Sequence, residues 1–156
     1  MIPPVFNFRE ISRTDFRKLL RRFKPKKVHG CDWIDAFTLK LAAPLIEDAL
    51  IHIINLSLRN GLFASKWKPQ LIFPNHKKNE RNRIENYRPE SHVIQIRKMV
   101  ELAAQSQIVA HFENNKLFHP NQYGSVANHS TSTAIIHVYE RWLEATEKDK
   151  LAASCF

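Results

Sequence analysis

The sequence is poor in the residues from which many recognisable active sites are built. Only three glycines and two cysteines occur among its 156 residues. No Gly-x-x-x-x-Gly-Lys or Gly-x-Gly-x-x-Gly loop is therefore present to cradle a phosphate. Cys31 and Cys155 lie far apart without Cys-x-x-Cys spacing, so neither a disulfide framework nor a zinc knuckle is indicated. The eight histidines are scattered, without the His-Glu-x-x-His pattern of a zinc enzyme.

Secretory and membrane-spanning signals are also lacking. Pro3 and Pro4 fall where a signal peptide would need an apolar run. No stretch approaches the roughly 18 uncharged apolar residues of a membrane span. We therefore expect an intracellular protein, nuclear or cytoplasmic and not secreted, without a membrane partner. The sequence does not indicate an oligomeric state.

Positive charge is what the sequence has in excess. Lysine and arginine number 24 against 15 acidic residues, a net charge of +9, while 44% of the residues are hydrophobic, as in an ordinary globular domain. Such a surplus favours an anionic partner, of which nucleic acid is the commonest. The alternative on charge alone is a merely basic soluble protein.

Four stretches have helical patterns. Residues 9–23 place apolar side chains on one side of a basic helix, namely Ile11, Phe16, Leu19, Leu20 and Phe23. Residues 36–60 carry the strongest pattern, in which Leu41, Leu45, Ala49, Ile53 and Leu58 recur at spacings of four or five. Pro44 predicts a break in this stretch near residues 42–43. Residues 94–114 and a helix capped by Ser130 complete the set.

Strand signals are few. Residues 69–74 form a short candidate strand between prolines, and residues 151–156 resemble the start of a buried strand. The polar stretch 75–86 between strand and helix is predicted to be a loop. These patterns predict an α+β fold that is predominantly helical, with one or two short strands.

Cations cluster around that loop. Lys77 and Lys78 follow the first strand, and Arg88 comes soon after, beside Pro89. Nucleotidyl transfer develops negative charge on a triphosphate, which a lysine and an arginine on one flap would stabilise. The plainer interpretation is a solvated surface loop.

Several sequence blocks occur in a characteristic order. They begin with Gly-x-Asp-x-Ile at residues 30–34, followed by Asn-x-Ser-Leu, Gly-x-Phe and Trp-Lys within residues 55–68. Pro74 and Lys77 then end a strand, and Asn-Tyr-Arg-Pro occupies residues 86–89. The remaining matches are Lys98, Glu101, Asn-Gln-x-Gly with His-Ser-Thr within residues 121–131, and Trp142. Each block alone is weakly specific. The ordered series, over about residues 25–156, resembles the reverse transcriptase of non-LTR (LINE-type, jockey- or RTE-like) retrotransposons.

This resemblance implies an incomplete right-hand polymerase, with fingers and part of the palm at residues 25–156 after a basic amphipathic helix at residues 1–24. It implies that Lys77 and Arg88 bind a nucleotide triphosphate. It also implies template or primer contacts by Lys78, Gln122, His129, Ser130 and Thr131. A local alternative exists for the second group, because Ser130 also suits a helix cap and Asn121 with Gly124 suits a turn.

The sequence departs from the family pattern in three of these blocks. Glu90 replaces the apolar residue of Arg-Pro-Ile-Ser, and Asn79 replaces a glycine after the lysine pair. Gly124, Ser125 and Val126 stand where the family has Gly-Phe-Arg. We expect each change to weaken nucleotide or template binding.

The catalytic carboxylates of the family are also missing. Complete enzymes hold two Mg²⁺ ions with a Phe-Ala-Asp-like element and a Tyr-x-Asp-Asp hairpin, and this sequence contains neither. Asp149 precedes residues 151–156, whereas the family's aspartate follows that strand. We therefore expect a truncated, inactive fragment with no catalytic residue, metal site or bound cofactor of its own, since Mg²⁺ and the dNTP belong to the complete enzyme.

Three hypotheses follow. The first is a truncated RNA-directed DNA polymerase domain that retains weak, phosphate-driven affinity for RNA or DNA. The second is a non-enzymatic nucleic-acid-binding or interaction protein whose basic surface comes from residues 13–27, where eight of fifteen residues are positive. The third is a decayed fragment without function.

Overall fold

The computed structural model describes residues 5–24, 26–124 and 126–148. In chain order they form α1 (Arg13–Arg22), α2 (Ala36–Asn60), β1 (Gln70–His76), β2 (Tyr87–Val93), α3 (Gln95–Asn114) and α4 (Thr131–Glu147). The prediction of a predominantly helical α+β fold is confirmed. The predicted strand at residues 151–156 lies outside the described residues. The chain divides into two compact units, Met1–His111 and Phe112–Phe156, and the predicted domain boundary after residue 24 stays a prediction.

Helix α1 begins at Arg13 rather than near residue 9 because the residues before it are held in an extended form. The backbone N–H of Ile11 donates to Asn55 Oδ1 at 2.8 Å, and the Ile11 carbonyl accepts from Asn55 Nδ2 at 3.1 Å. The side chain of Gln107 makes the same pair of bonds with the backbone of Arg9, at 2.8 and 3.0 Å. Ser12 and Asp15 then form a capping box that starts the helix.

Helix α2 runs through Pro44 without a break, so the break predicted near residues 42–43 is wrong. A proline inside a helix costs about 3 kcal/mol, because it lacks an N–H and crowds the carbonyl one turn back. Leu39 and Ala43 before the proline and Leu50 after it are all buried. Packing on both sides of Pro44 therefore holds the helix continuous.

The buried face of α2 differs from the apolar series in its sequence. Leu41 and Leu45 are 72% and 90% exposed, whereas the buried apolar side chains are Ala36, Leu39, Ala43, Leu50, Ile54 and Leu58. Apolar residues surround most of this helix, so periodicity alone does not identify the face that meets a partner. The face that is buried packs with α1 and α3 in one apolar core.

By length and apolar composition, α2 is also long enough to cross a membrane. Its middle, however, carries Glu47 and Asp48, which form ion pairs with Arg17 and Arg13 of α1 at 3.0 and 2.7 Å. Ion pairing at its centre and burial of Leu50 and Ile54 are typical of a core helix in a globular unit.

The core of the first unit joins three helices. Phe16 of α1, Ile54 of α2 and Met99 of α3 are almost completely buried. In α3, Met99, Val100 and Ala103 face inward, while Ile108 is substantially exposed. The hairpin of β1 and β2 connects α2 to α3 and pairs antiparallel, with Gln70 opposite Val93 and His76 opposite Tyr87.

The second unit contains a turn-rich segment followed by α4. Ser130 caps α4 as predicted, since its Oγ accepts from the Thr133 N–H at 3.2 Å and Thr133 Oγ1 accepts from the Ser130 N–H at 2.9 Å. Asn128, just before the cap, adopts a positive φ of 61°, a conformation that asparagine tolerates better than most residues.

The glycine of Gly-x-Asp-x-Ile is required by close packing. A Cβ added at Gly30 would lie 2.5 Å from the Ile94 backbone nitrogen and 2.8 Å from its Cα. Asp32 then turns the chain, because its Oδ1 accepts from the Ile34 N–H at 3.2 Å. The segment before α2 is thereby packed against the junction between β2 and α3.

We predict that Gly30→Ala destabilises the protein by about 1–3 kcal/mol, because backbone atoms must move to admit the methyl group. Urea denaturation followed by circular dichroism measures this change. Gly124→Ala is the control, since the nearest atom there is the flexible Gln122 Nε2 at 3.6 Å. Equal stability of the two variants would contradict the packing account.

A second prediction concerns acid stability. Hydrogen bonds from the Ser12 backbone N–H and from Arg9 hold the pKa of Asp15 below its usual 3.8. A lowered folded-state pKa means that the carboxylate stabilises the fold above pH 3.8, an effect lost as the pH falls through the folded value. Asp15→Asn should therefore lower stability at pH 6 by less than about 1 kcal/mol, as for an exposed ion pair. The difference should vanish in acid; a difference independent of pH would contradict this.

Candidate functional site

The hairpin places the two predicted triphosphate-binding residues on one face. Arg88 lies opposite Asn75 in the strand register, and the Lys77 N–H extends the ladder by donating to the Asn86 carbonyl at 2.8 Å. Because side chains alternate between faces, Lys77, Asn75 and Arg88 point to the same side. His76 and Tyr87 pack together on the other side, with ring centroids 5.3 Å apart.

Lys77, Lys78 and Arg88 are exposed and can contact a ligand. Within the described residues, neither Lys77, Lys78 nor Arg88 forms an ion pair. Other cations of the loop are engaged, since Arg83 pairs with Glu80 and Glu85 at 3.6 and 3.7 Å. The hairpin face therefore offers positive charge that the fold does not neutralise.

Glu90, the acidic residue near Arg88 that departs from the family pattern, is hydrogen-bonded to a neighbouring side chain. Its Oε1 accepts from Asn75 Nδ2 at 3.1 Å. Alternation places Glu90 on the same face as Arg88, yet the two side chains form no ion pair in the part of the chain described here. The Glu90 carboxylate lowers the positive potential of this face but does not pair with the Arg88 guanidinium.

The loop between the strands is ordered by its own polar groups. Asn86 is buried and donates through Nδ2 to the Glu80 carbonyl at 2.7 Å. Tyr87 donates through its hydroxyl to the Arg81 carbonyl at 2.9 Å. Asn79 has a φ of 62°, the left-handed region that glycine adopts most easily and asparagine tolerates. Asparagine in place of the family's glycine is thus compatible with the backbone that this loop adopts.

The predicted template-contacting residues other than Lys78 lie in the second unit. Gln122 donates to the Gly124 carbonyl at 2.9 Å, and His129 Nδ1 bonds with the Ala127 carbonyl at 2.9 Å. Ser130 is the cap of α4, and Thr131 is its first residue. The helix cap predicted for Ser130 is therefore confirmed, and the contacts with template or primer stay predictions.

Many other residues of the matched blocks have structural roles. Asn55 holds the N-terminal segment, and Ser57 Oγ donates to the Leu62 carbonyl at 2.6 Å across the end of α2. Gly61 ends that helix with a φ of 63°. Phe63 packs edge-on against Trp67 at 5.5 Å, and the Arg97 guanidinium lies 5.9 Å from the Phe63 ring. These residues hold the N-terminal segment against α2 and order the segment between α2 and β1.

The carboxylates do not fit a two-metal site. Among the described residues, no group of three or more histidine, cysteine, aspartate or glutamate residues lies close enough to hold a metal ion. The aspartates are used locally: Asp15 and Asp35 cap helices, and Asp48 pairs with Arg13. The Thr38 N–H lowers the pKa of Asp35. No catalytic step through Mg²⁺ can be assigned to these side chains.

A cleft that the sequence interpretation missed lies beside the hairpin. It has a volume of about 570 Å³ and is bounded by the end of α1, the end of β2 and the first half of α3. Its charged lining residues are Arg22, Lys24, Lys26, Glu90, Lys98 and Glu101. The basic run after α1 was visible in the sequence, but only the fold brings it next to Lys98.

Two curated polymerases are similar to this chain over nearly its whole length. The RNA-directed DNA polymerase from mobile element jockey of Drosophila funebris is 29% identical over 151 residues, which is 94% of this chain and 16% of that protein. The polymerase of the same name from Drosophila melanogaster is 25% identical over 147 residues, again 94% of this chain and 16% of that protein. The chain is homologous to jockey-type reverse transcriptases. No family model and no solved structure matches the chain.

The resemblance to a non-LTR retrotransposon reverse transcriptase is thus confirmed over nearly the whole chain. The chain spans about one sixth of the length of the curated jockey relatives it matches, with 16% of each covered. The chain aligns with a segment of each of these polymerases, and the hypothesis of an unrelated basic protein is not favoured.

We predict that Asn86→Ala loosens the loop between β1 and β2. Removing a buried hydrogen-bonding amide costs about 1–3 kcal/mol when its partner is left unsatisfied. Hydrogen–deuterium exchange should accelerate across residues 77–86. Asn75→Ala is the matched control, because Asn75 is exposed and, within the described residues, its side chain bonds to the Glu90 side chain alone. The same exchange pattern in both variants would contradict the role assigned to Asn86.

Proposed function

We propose that this chain forms the fingers and upper palm of a non-LTR retrotransposon reverse transcriptase, with an incomplete right-hand polymerase fold. The observation that carries the proposal is the hairpin, on which Lys77 and Arg88 share one exposed face. Homology to the jockey polymerases over 94% of the chain supports it. In this proposal, the hairpin holds the triphosphate of the incoming nucleotide.

The two cations suit different parts of that task. A lysine ammonium is a compact point charge with three donors, whereas an arginine guanidinium donates two parallel hydrogen bonds to phosphate oxygens. Lys77 directly follows β1 at its loop end, and Arg88 is the second residue of β2, opposite Asn75. Together they would orient a triphosphate along the hairpin face and offset its negative charge.

The template or primer is proposed to contact the second unit. Gln122, His129, Ser130 and Thr131 lie in the loop before α4 and at its N-terminus. Together with Lys78 of the first unit, they are our candidates for contacts with RNA or DNA. The affinity should be driven by phosphates and should weaken steeply with salt.

We also propose that the chain by itself does not extend primers. Catalysis in this class requires carboxylates that seat two metal ions next to the attacking hydroxyl. The sequence lacks both family elements that supply them, and the described acidic side chains are not clustered. Positioning of a triphosphate without these ligands leaves the bond-forming step unassisted.

The test measures nucleotide binding and primer extension in separate assays. Purified chain is titrated with a fluorescent dNTP, and Lys77→Ala and Arg88→Ala should each weaken binding about 10-fold or more, as expected for a charged hydrogen bond. Lys66→Ala removes the same charge from an exposed site outside the hairpin and should change affinity less than twofold. Primer extension on an RNA template should yield no product.

Two results would contradict the proposal. Equal affinities of the hairpin variants and the Lys66 variant would remove the triphosphate-binding role. Primer extension by the purified chain would show that a metal site exists that these residues do not explain.

A further inference from the structure

Only part of the basic surface around α1 is free to bind a ligand. Arg13 and Arg17 face α2 and form ion pairs with Asp48 and Glu47 at 2.7 and 3.0 Å. Arg9 pairs with Asp15 at 3.1 Å. The start of the basic segment therefore serves the contact between α1 and α2, and the available charge is concentrated at the helix end.

The cleft gathers this remaining charge from two elements. The cleft is lined by Arg22 at the end of α1 and by Lys24 and Lys26 in the segment that follows it. Lys98 lines it from α3. Within the described residues, none of these four cations has a carboxylate partner. Cations brought together in this way repel one another, which favours the uptake of an anion between them.

The two carboxylates of the cleft are already engaged. Glu90 accepts from Asn75 at 3.1 Å, and Glu101 pairs with Arg97 at 2.8 Å. The Asn75 amide is neutral, so Glu90 keeps its charge and offsets part of the positive charge of the four cations, whereas Glu101 is already paired with Arg97. The cleft therefore has a positive surplus even though acidic residues contribute to its lining.

The position of the cleft indicates what kind of anion fits. Glu90 and His92 line it, and strand alternation places both on the hairpin face that carries Arg88. His92 lies four positions after Arg88 along the strand, a distance of about 13 Å. His92 also stacks on Phe73, with ring centroids 4.3 Å apart. Cations beside an aromatic surface are typical of sites for single-stranded nucleic acid.

We propose that this cleft binds the phosphate groups of a single nucleic-acid strand, through Arg22, Lys24, Lys26 and Lys98. A cleft of about 570 Å³ has the size of a small-ligand pocket, so only a short part of such a strand would lie within it. The inference rests on the proposed function only in taking nucleic acid as the anionic partner. The site is separate from the triphosphate-binding residues Lys77 and Arg88.

The experiment measures fluorescence anisotropy of a labelled single-stranded oligouridylate RNA. The triple variant Arg22→Gln, Lys24→Gln, Lys98→Gln is compared with the triple variant Lys40→Gln, Lys66→Gln, Lys116→Gln. Both remove three positive charges, and the second set lies outside the cleft lining. Circular dichroism and thermal melting establish that both variants are folded before binding is compared.

We expect the cleft variant to bind at least 10-fold more weakly than the control variant at about 0.1 M salt. The slope of log affinity against log salt should fall by up to about 2, because each lost phosphate contact on a single strand contributes about 0.7. Equal binding by the two variants would overturn the inference, as would a lack of RNA binding by the unaltered chain. Displacement of the RNA by inorganic phosphate at matched phosphate concentration would identify a small-anion site instead, and would also overturn it.

A hairpin variant separates this inference from the proposed function. Lys77→Ala with Arg88→Ala should abolish dNTP binding while retaining most RNA affinity, and the cleft variant should show the opposite pattern. Loss of RNA binding only in the hairpin variant would refute the cleft and leave the proposed function intact. Loss of RNA binding only in the cleft variant, with no effect of the hairpin variant on dNTP binding, would refute the proposed function and leave the cleft intact.

Discussion

The buried contact of α1, α2 and α3 is the interaction on which the first unit depends. Phe16, Ile54 and Met99 meet there, and full burial of each such side chain contributes about 1.5–3 kcal/mol. A two-stranded hairpin is marginally stable alone. The hairpin joins α2 to α3, and Val93 at its end lies only two residues before the start of α3. The helical core therefore fixes the end of the hairpin that adjoins the helices. The orientation of Lys77 and Arg88 is thus a consequence of packing that lies away from them.

Pairing of charges then decides what the basic composition can do. Ion pairs between exposed side chains contribute little stability, about 0–1 kcal/mol each, but they determine which cations remain available. Arg13 and Arg17 are committed to α2, whereas the cations of the hairpin and of the cleft are not. Two of the positive regions of the first unit, the hairpin face and the cleft, thus keep cations without an ion pair among the described residues. Their neighbours suit a triphosphate in one case and a nucleic-acid strand in the other.

Local chemistry made much of the fold predictable from the sequence. Ser130 predicted a cap because its hydroxyl reaches an unpaired N–H at the start of α4. Pro44 misled the prediction, since tertiary packing outweighed its local cost. The cleft was not predictable, because its walls come from α1, β2 and α3, and no spacing in the sequence encodes that proximity. The ordered blocks predicted the similarity to the jockey polymerases, although several matched residues prove to be structural.

The central claim is that the hairpin face, supported by the helical core, binds a nucleotide triphosphate in a segment that lacks the catalytic carboxylates. The most direct measurement is a ¹⁵N NMR titration of the chain with a non-hydrolysable dNTP analogue. The account predicts saturable shifts at Lys77, Lys78 and residues 86–90, with α4 unaffected. Shifts confined to other parts of the chain, with the hairpin resonances unchanged at saturation, would contradict it.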